Sequence, residues 1–177
     1  MTETQASLKR KLLNRAIQWL AQREQSQFEL EQKLSQALSG LESELAPSLS
    51  VSEAQNLIAQ LLQTLADQRL QSDERFAQSL LRRLLSKGKG PLLIRASLKQ
   101  HQLPADLIET LLAPWAALWP AQASRVRCKR FGTAPPSDDK QAAKMQRFLL
   151  ARGFTPSQAR AAVFSPEVDY HFDADSV

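Results

Sequence analysis

One cysteine, Cys128, and two histidines, His101 and His171, are all that the 177-residue sequence offers of the usual soft metal ligands. A lone cysteine closes no intramolecular disulfide, and no Cys/His zinc quartet can be assembled from this set. Nowhere is there an uninterrupted apolar run near 18 residues, and the first thirty residues are charged and Gln-rich without an apolar export region. A cytoplasmic protein with no membrane association, no metal and no cofactor is therefore expected. β-Branched aliphatics are scarce too, with 5 Val and 4 Ile against 29 Leu, and there are only 5 Gly. Leu keeps its rotamer freedom in a helix and sheets favour the β-branched types, so the composition predicts an all-α fold.

Acidic residues are missing from one stretch in particular. From 76 to 105 there is no Asp or Glu, while Arg82, Arg83, Lys87, Lys89, Arg95 and Lys99 all fall there. Residues 1–70 carry 7 basic and 8 acidic groups, 71–130 carry 11 and 4, and 131–177 carry 5 and 6, so the net charge of +5 comes from the middle third. A field concentrated in this way favours a polyanionic or acidic partner. Arg83 and Lys87 stand four apart, as do Arg95 and Lys99, so each pair shares a helical face and the four predict a cationic ridge. A second cluster, Arg125, Arg127, Lys129 and Arg130, spreads around its helix and carries less weight.

Apolar spacing and caps predict nine helices. Leu8, Leu12, Leu13, Ala16, Ile17 and Leu20 mark the first, over about 8–24. Ser26 with Glu29 opens a second that ends near Gly40, and Ser50 with Glu53 opens a third through Leu57, Ile58, Leu61, Leu62 and Leu65. Asp73 is expected to cap a fourth, with Phe76, Leu80, Leu81 and Leu84 inward, which stops at Lys87-Gly88-Lys89-Gly90. Pro91 opens a fifth with Leu93, Ile94 and Leu98 inward, and Pro104 a sixth that Pro114 ends. A weakly patterned seventh spans about 120–131. Asp138 or Asp139 begins an eighth ending at Gly153, and Thr155-Pro156 a short ninth. Trp115 and Trp119, four apart, read as a packing seam. Shifts of 64 and 51 residues superpose several apolar positions, among them Leu98 on Leu149 and Leu103 on Phe154. Three tandem three-helix repeats are expected, 8–70, 73–114 and 115–165, stacked into an elongated, curved body between an N-terminal tail, 1–7, and an acidic C-terminal tail, 166–177.

Catalytic chemistry finds no support. Lys87-Gly88-Lys89-Gly90-Pro91 is rich in glycine and lysine, but a phosphate loop of the Walker type ends in Gly-Lys-Ser/Thr, and Gly90-Pro91 stands there instead. The turn is explained by helix geometry: Gly88 ends one helix and Pro91 starts the next. The helix start after Gly90 also offers free N–H groups to an anion, the less favoured reading. Cys128 lies beside Arg127 and Lys129 but has no histidine near it in sequence, which suits a small hydrophobe better than a nucleophile.

Taken in order, Arg23-x-x-Ser26-x-x-Glu29-Leu30-x-x-Lys33-Leu34, Asp73-Glu74-Arg75-Phe76-Ala77, Lys87-Gly88-Lys89-Gly90-Pro91 with Ile94 and Leu98, and Phe148-Leu149-x-x-Arg152-Gly153-Phe154 resemble the motifs of the RecX family of recombinase regulators. The resemblance covers about 8–165. Where that family usually has a glycine before the last helix of the second repeat, this chain has Gln102. The resemblance implies a monomeric, cytosolic, non-enzymatic protein of three three-helix repeats. It implies binding to the RecA recombinase filament, with the single-stranded DNA inside that filament as a second candidate partner. It also implies inhibition of RecA ATP hydrolysis, strand exchange and coprotease activity, and so modulation of recombination, repair and the SOS response. On the residues alone, a helix-turn-helix transcription regulator and an adaptor without a nucleic-acid role remain open. The first is disfavoured because 104–113 holds no Lys or Arg and 156–164 holds only Arg160 and Gln158 to read bases.

Overall fold

The computed structural model describes residues 3–45 and 49–164, and among them it is entirely helical, without a strand. The helices are α1 (Glu3–Gln22), α2 (Gln27–Leu45), α3 (Val51–Asp67), α4 (Asp73–Ser86), α5 (Pro91–Gln100), α6 (Ala105–Leu112), α7 (Trp119–Phe131), α8 (Asp139–Ala151) and α9 (Pro156–Phe164), with one 3-10 turn at Ala113–Trp115. The chain divides into two compact units, 1–77 and 78–177, at a point inside α4. The expected C-terminal acidic tail and Pro47 lie outside the described residues.

In the first unit α1, α2 and α3 pack against one another around Leu12, Ala16, Leu30, Leu34, Leu61 and Leu65, all fully buried. Full burial of a leucine contributes about 1.5–3 kcal/mol, so these positions set the register of the bundle. Ser50 and Glu53 form the expected reciprocal capping box at α3. The hydrogen bonds that Glu53 accepts from Ser50 hold its carboxyl below the usual range. Ser26 likewise accepts from the Glu29 N–H, while the Glu29 carboxylate pairs with Arg23 at 2.8 Å.

Three expectations fail here. α1 begins at Glu3 and ends at Gln22 rather than running over about 8–24, so residues 3–7 belong to the helix and not to a tail. α2 runs through Gly40 to Leu45 rather than stopping at Gly40, because that glycine keeps a helical backbone and meets no close neighbour at its Cβ position. Asp73 does not cap its own helix. Ser72 does, accepting from the Arg75 N–H at 3.3 Å, and the Asp73 carboxylate accepts from the first N–H of α2, Gln27, at 2.8 Å. Arg75 pairs with Glu24 at 2.8 Å and donates to the carbonyls of Arg69 and Leu70, which close α3. The Asp73-Glu74-Arg75 run is thus a joint holding the start of α2 and the end of α3.

In the second unit α7, α8 and α9 pack mutually and α5 packs on α6. Trp115 and Trp119 are both buried, with ring centroids 5.7 Å apart, and pack on each other between α6 and α7. Asp138 caps α8 through the Gln141 N–H, and Thr155 caps α9 through the Gln158 N–H while the Gln158 side chain accepts from Thr155 N–H. Pro104 sits at the N-cap of α6, one position before the helix proper. α7 is weakly patterned because its inner face is polar as well as apolar: Gln122, Ser124 and Arg127 are buried beside Ala123 and Val126.

Candidate interaction face

The turn between α4 and α5 is built by two glycines with different duties. Gly88 takes φ +69° and closes α4 in a Schellman motif, its own N–H donating to Leu85 and that of Lys89 to Leu84. Gly90 lies so close to a second turn that a Cβ there would stand 2.5 Å from the Gly153 carbonyl carbon and the Phe154 nitrogen. Gly153, at φ +87°, ends α8 in the same motif, and its own Cβ would strike Leu93 at 2.6 Å. The two turns clasp through backbone: Gly90 N–H donates to the Arg152 carbonyl at 2.7 Å and Leu92 N–H to the Gly153 carbonyl at 3.0 Å. Arg152 adds Nη1 to the Lys87 carbonyl at 2.7 Å and lays its guanidinium over Phe148, 5.0 Å from the ring centroid. Of the first N–H groups of α5, that of Leu92 is taken by the Gly153 carbonyl, and the turn has the geometric duty expected of it.

α7 crosses the same place. Gln122 Nε2 donates to the Leu85 carbonyl at 3.1 Å, and Val126 sits 3.1 Å from where a Gly88 Cβ would be. At about 100° per residue, Arg125 and Lys129 lie within roughly 60° of Gln122 on α7, flanking the strip that meets the end of α4. α7 is thereby brought to the turn that carries the first cluster: Lys87 and Lys89 border Gly88, and Arg125 and Lys129 neighbour Gln122 on the helical wheel of α7.

The ten basic residues expected to face a partner divide into three groups. Arg82, Arg83, Lys87, Lys99, Arg125, Lys129 and Arg130 are exposed and Lys89 is half-buried, and none of these forms an ion pair among the described residues. Arg95 is compensated: it forms a bidentate pair with Glu109 of α6, with Nη2 to Oε2 at 3.1 Å. The expectation that the ridge has no counter-charge is corrected at this position, because a carboxylate fourteen residues on folds back beside it. Arg127 is corrected outright as a surface residue. It is 0% exposed, and its guanidinium donates to the carbonyls of Gly132 and Ala134 at 3.2 and 2.9 Å and to Cys128 Sγ at 3.3 Å. It holds the loop after α7 and is not available to a partner. Arg152 was passed over as a site residue, although its place in the Arg-Gly-Phe motif signalled a constrained turn.

Among the described residues no group of three His, Cys, Asp or Glu is placed to hold a metal ion, and no helix is long and apolar enough to cross a membrane. Fold and face together define a helical protein of three-helix domains with an unpaired basic surface. Residues 72–112 match the second three-helix domain of RecX and residues 121–163 the third. The regulatory protein RecX of Halorhodospira halophila is 32% identical over 154 residues, 87% of this chain and 87% of that one. That of Chromohalobacter salexigens is 36% identical over 148 residues, 84% of this chain and 88% of its own. The crystal structure of RecX from Lactobacillus salivarius superposes with a TM-score of 0.69 at 19% identity, over 91% of this chain and 97% of that one. A second RecX crystal structure does so at 0.66 and 21%, over 92% of this chain and 74% of its own, and the two together carry the fold. The chain belongs to the RecX family of regulatory proteins.

Proposed function

We propose that this protein is a non-enzymatic regulator that binds the filament formed by the RecA recombinase on single-stranded DNA. By binding it inhibits the filament's ATP hydrolysis, strand exchange and coprotease activities. It acts in the cytoplasm as a monomer, through three repeats bounded at 8–70, 73–114 and 115–165. The observation that carries the reading is the gathering of exposed, unpaired cations around the clasped turns of the second unit, on a chain of the RecX family. Binding free energy alone is enough: a ligand that prefers one filament state shifts the equilibrium by its differential affinity. Arg83, Lys87, Lys89, Arg125 and Lys129 form the centre of the contact, with Arg82, Lys99 and Arg130 at its edges.

The helix-turn-helix alternative gains nothing. α6 carries Asp106 and Glu109 and no cation, and Gln158 of α9 is spent on the capping box. The test is a single-stranded-DNA-dependent ATPase assay of the cognate recombinase with this protein titrated in. Hydrolysis is expected to fall as the protein saturates the filament; an unchanged rate together with no filament binding would refute the proposal.

A further inference from the structure

The loop after α7 does not use the whole of the guanidinium that holds it. Arginine carries five N–H donors in a fixed fork. At Arg127, Nη1 donates to the carbonyls of Gly132 and Ala134, while Nη2 donates to Cys128 Sγ at 3.3 Å and to the Thr133 carbonyl at 3.5 Å. The side chain is 0% exposed, and its Nε has no acceptor among the described residues. A buried donor of a charged group that goes unmatched is unfavourable, so this position favours an added acceptor.

The shape of that acceptor follows from the fork. Nε–H and one N–H of Nη2 run parallel along a single edge of the guanidinium, the edge that receives the two oxygens of a carboxylate. Arg127 has sulfur at the Nη2 end of this edge, and residues 110–137 contain no Asp or Glu to cover it. Cys128 is half-buried, which leaves its sulfur within reach of a small solute. An oxygen bonded to that sulfur turns a one-atom acceptor into a two-atom one. We infer that Cys128 is a site of oxidation by hydrogen peroxide, and that the sulfenate oxygen formed there accepts from the Nε–H of Arg127. The thiolate sulfur attacks one peroxide oxygen, so that the S–O bond forms as the O–O bond breaks. The leaving hydroxide takes the proton of the sulfenic acid and departs as water; sulfur is oxidised and the peroxide reduced. The chain has no second cysteine to condense with the product, so an external thiol restores the sulfhydryl.

The test treats the full chain with hydrogen peroxide in slight excess, traps sulfenate with dimedone and locates the adduct by mass spectrometry. The adduct is expected on Cys128 of the parent and is lost in Cys128→Ser. Free thiol is expected to disappear at least about tenfold faster in the folded chain than in the same chain unfolded in urea, the scale of one hydrogen bond to a charged acceptor. Arg127→Lys keeps a cation without the Nε edge and is expected to lose that advantage. A further readout needs no change at Arg127: its Nε–H signal in a nitrogen-15 correlation spectrum is expected to move downfield on oxidation and to return with dithiothreitol. No adduct at Cys128, or thiol loss no faster than in urea, overturns the site. An adduct formed while the Arg127 Nε–H signal stays in place overturns the part assigned to the guanidinium, since the oxidised sulfur is then turned to solvent. None of these outcomes depends on the recombinase, so the proposed function stands or falls separately.

Discussion

The two units solve the same packing problem with different materials. Residues 1–77 carry 8 basic and 10 acidic groups, whereas 78–164 carry 15 and 4. In the first unit charged side chains make the joints: Asp73 caps α2, Arg75 ties Glu24 to the end of α3, and Arg23 pairs with Glu29. In the second the main joint is backbone on backbone, between Gly90 and Gly153, and only Arg95 is paired with a carboxylate among the described residues. A joint made of backbone leaves the surrounding cations uncommitted. That is how the unit keeps these cations exposed and without ion pairs among the described residues.

The sharpest break of this comparison is a methyl group on a glycine from each unit. Gly90→Ala drives a Cβ into the Gly153 backbone and is expected to destabilise by about 3 kcal/mol, with neither turn a flexible side chain that can yield. Gly40→Ala, inside α2 with open space at its Cβ, is expected to stabilise by about 0.5–1 kcal/mol. Chemical denaturation of both variants reads the opposite signs. Within α7, Arg127→Ala empties the space of a fully buried side chain and removes the donors that hold the Gly132 and Ala134 carbonyls, at an expected cost of about 2–3 kcal/mol, while Lys129→Ala stays within about 0.5 kcal/mol of the parent and weakens filament binding. If both variants are equally stable, the division of that helix into a structural and a binding cation is wrong.

Gln102 tests the repeat relation. It takes φ +54° where the 51-residue shift lays it on Gly153 at φ +87°. The side chain occupies a backbone that glycine adopts freely, so Gln102→Gly is expected to raise stability by about 1 kcal/mol in thermal unfolding. At the small end, Ser50→Ala removes the α3 cap for about 1 kcal/mol or less. The Glu53 carboxyl, held low by Ser50, adds a pH signature: its contribution is present above its ordinary pKa and is lost as pH falls through the lower folded value. An unfolding series taken downward from pH 6 should show the gap between the parent and Ser50→Ala narrowing as the pH falls.

Periodicity and capping residues made the helices legible, since both are local: the i, i+3, i+4 spacing of Ile58, Leu61, Leu62 and Leu65 and the Asp138 cap need no distant partner. What sequence reading missed is non-local. Asp73 caps a helix 46 residues away, and Glu109 reaches back to Arg95. Arg127 looked like one cation among four, and nothing in its neighbours marks it as the one turned inward to three carbonyl-bearing residues of the following loop. The exposed cations were legible because charge without nearby counter-charge is visible in composition; the approach of α7 to the clasp was not, because Gln122 reaches Leu85 from 37 residues downstream.

The central claim is that the unpaired cations of the second unit, not charge in general, bind the filament. The direct measurement is the salt dependence of binding to a recombinase filament on single-stranded DNA, for the parent and two triple reversals. One is Arg83→Glu, Lys87→Glu and Lys129→Glu; the other is Arg10→Glu, Lys11→Glu and Arg15→Glu on the exposed side of α1. The account predicts that the first loses at least about tenfold in affinity and flattens the log-log salt slope by about one unit per cation engaged, while the second binds like the parent. Equal losses in both, or a loss confined to the α1 variant, would contradict it.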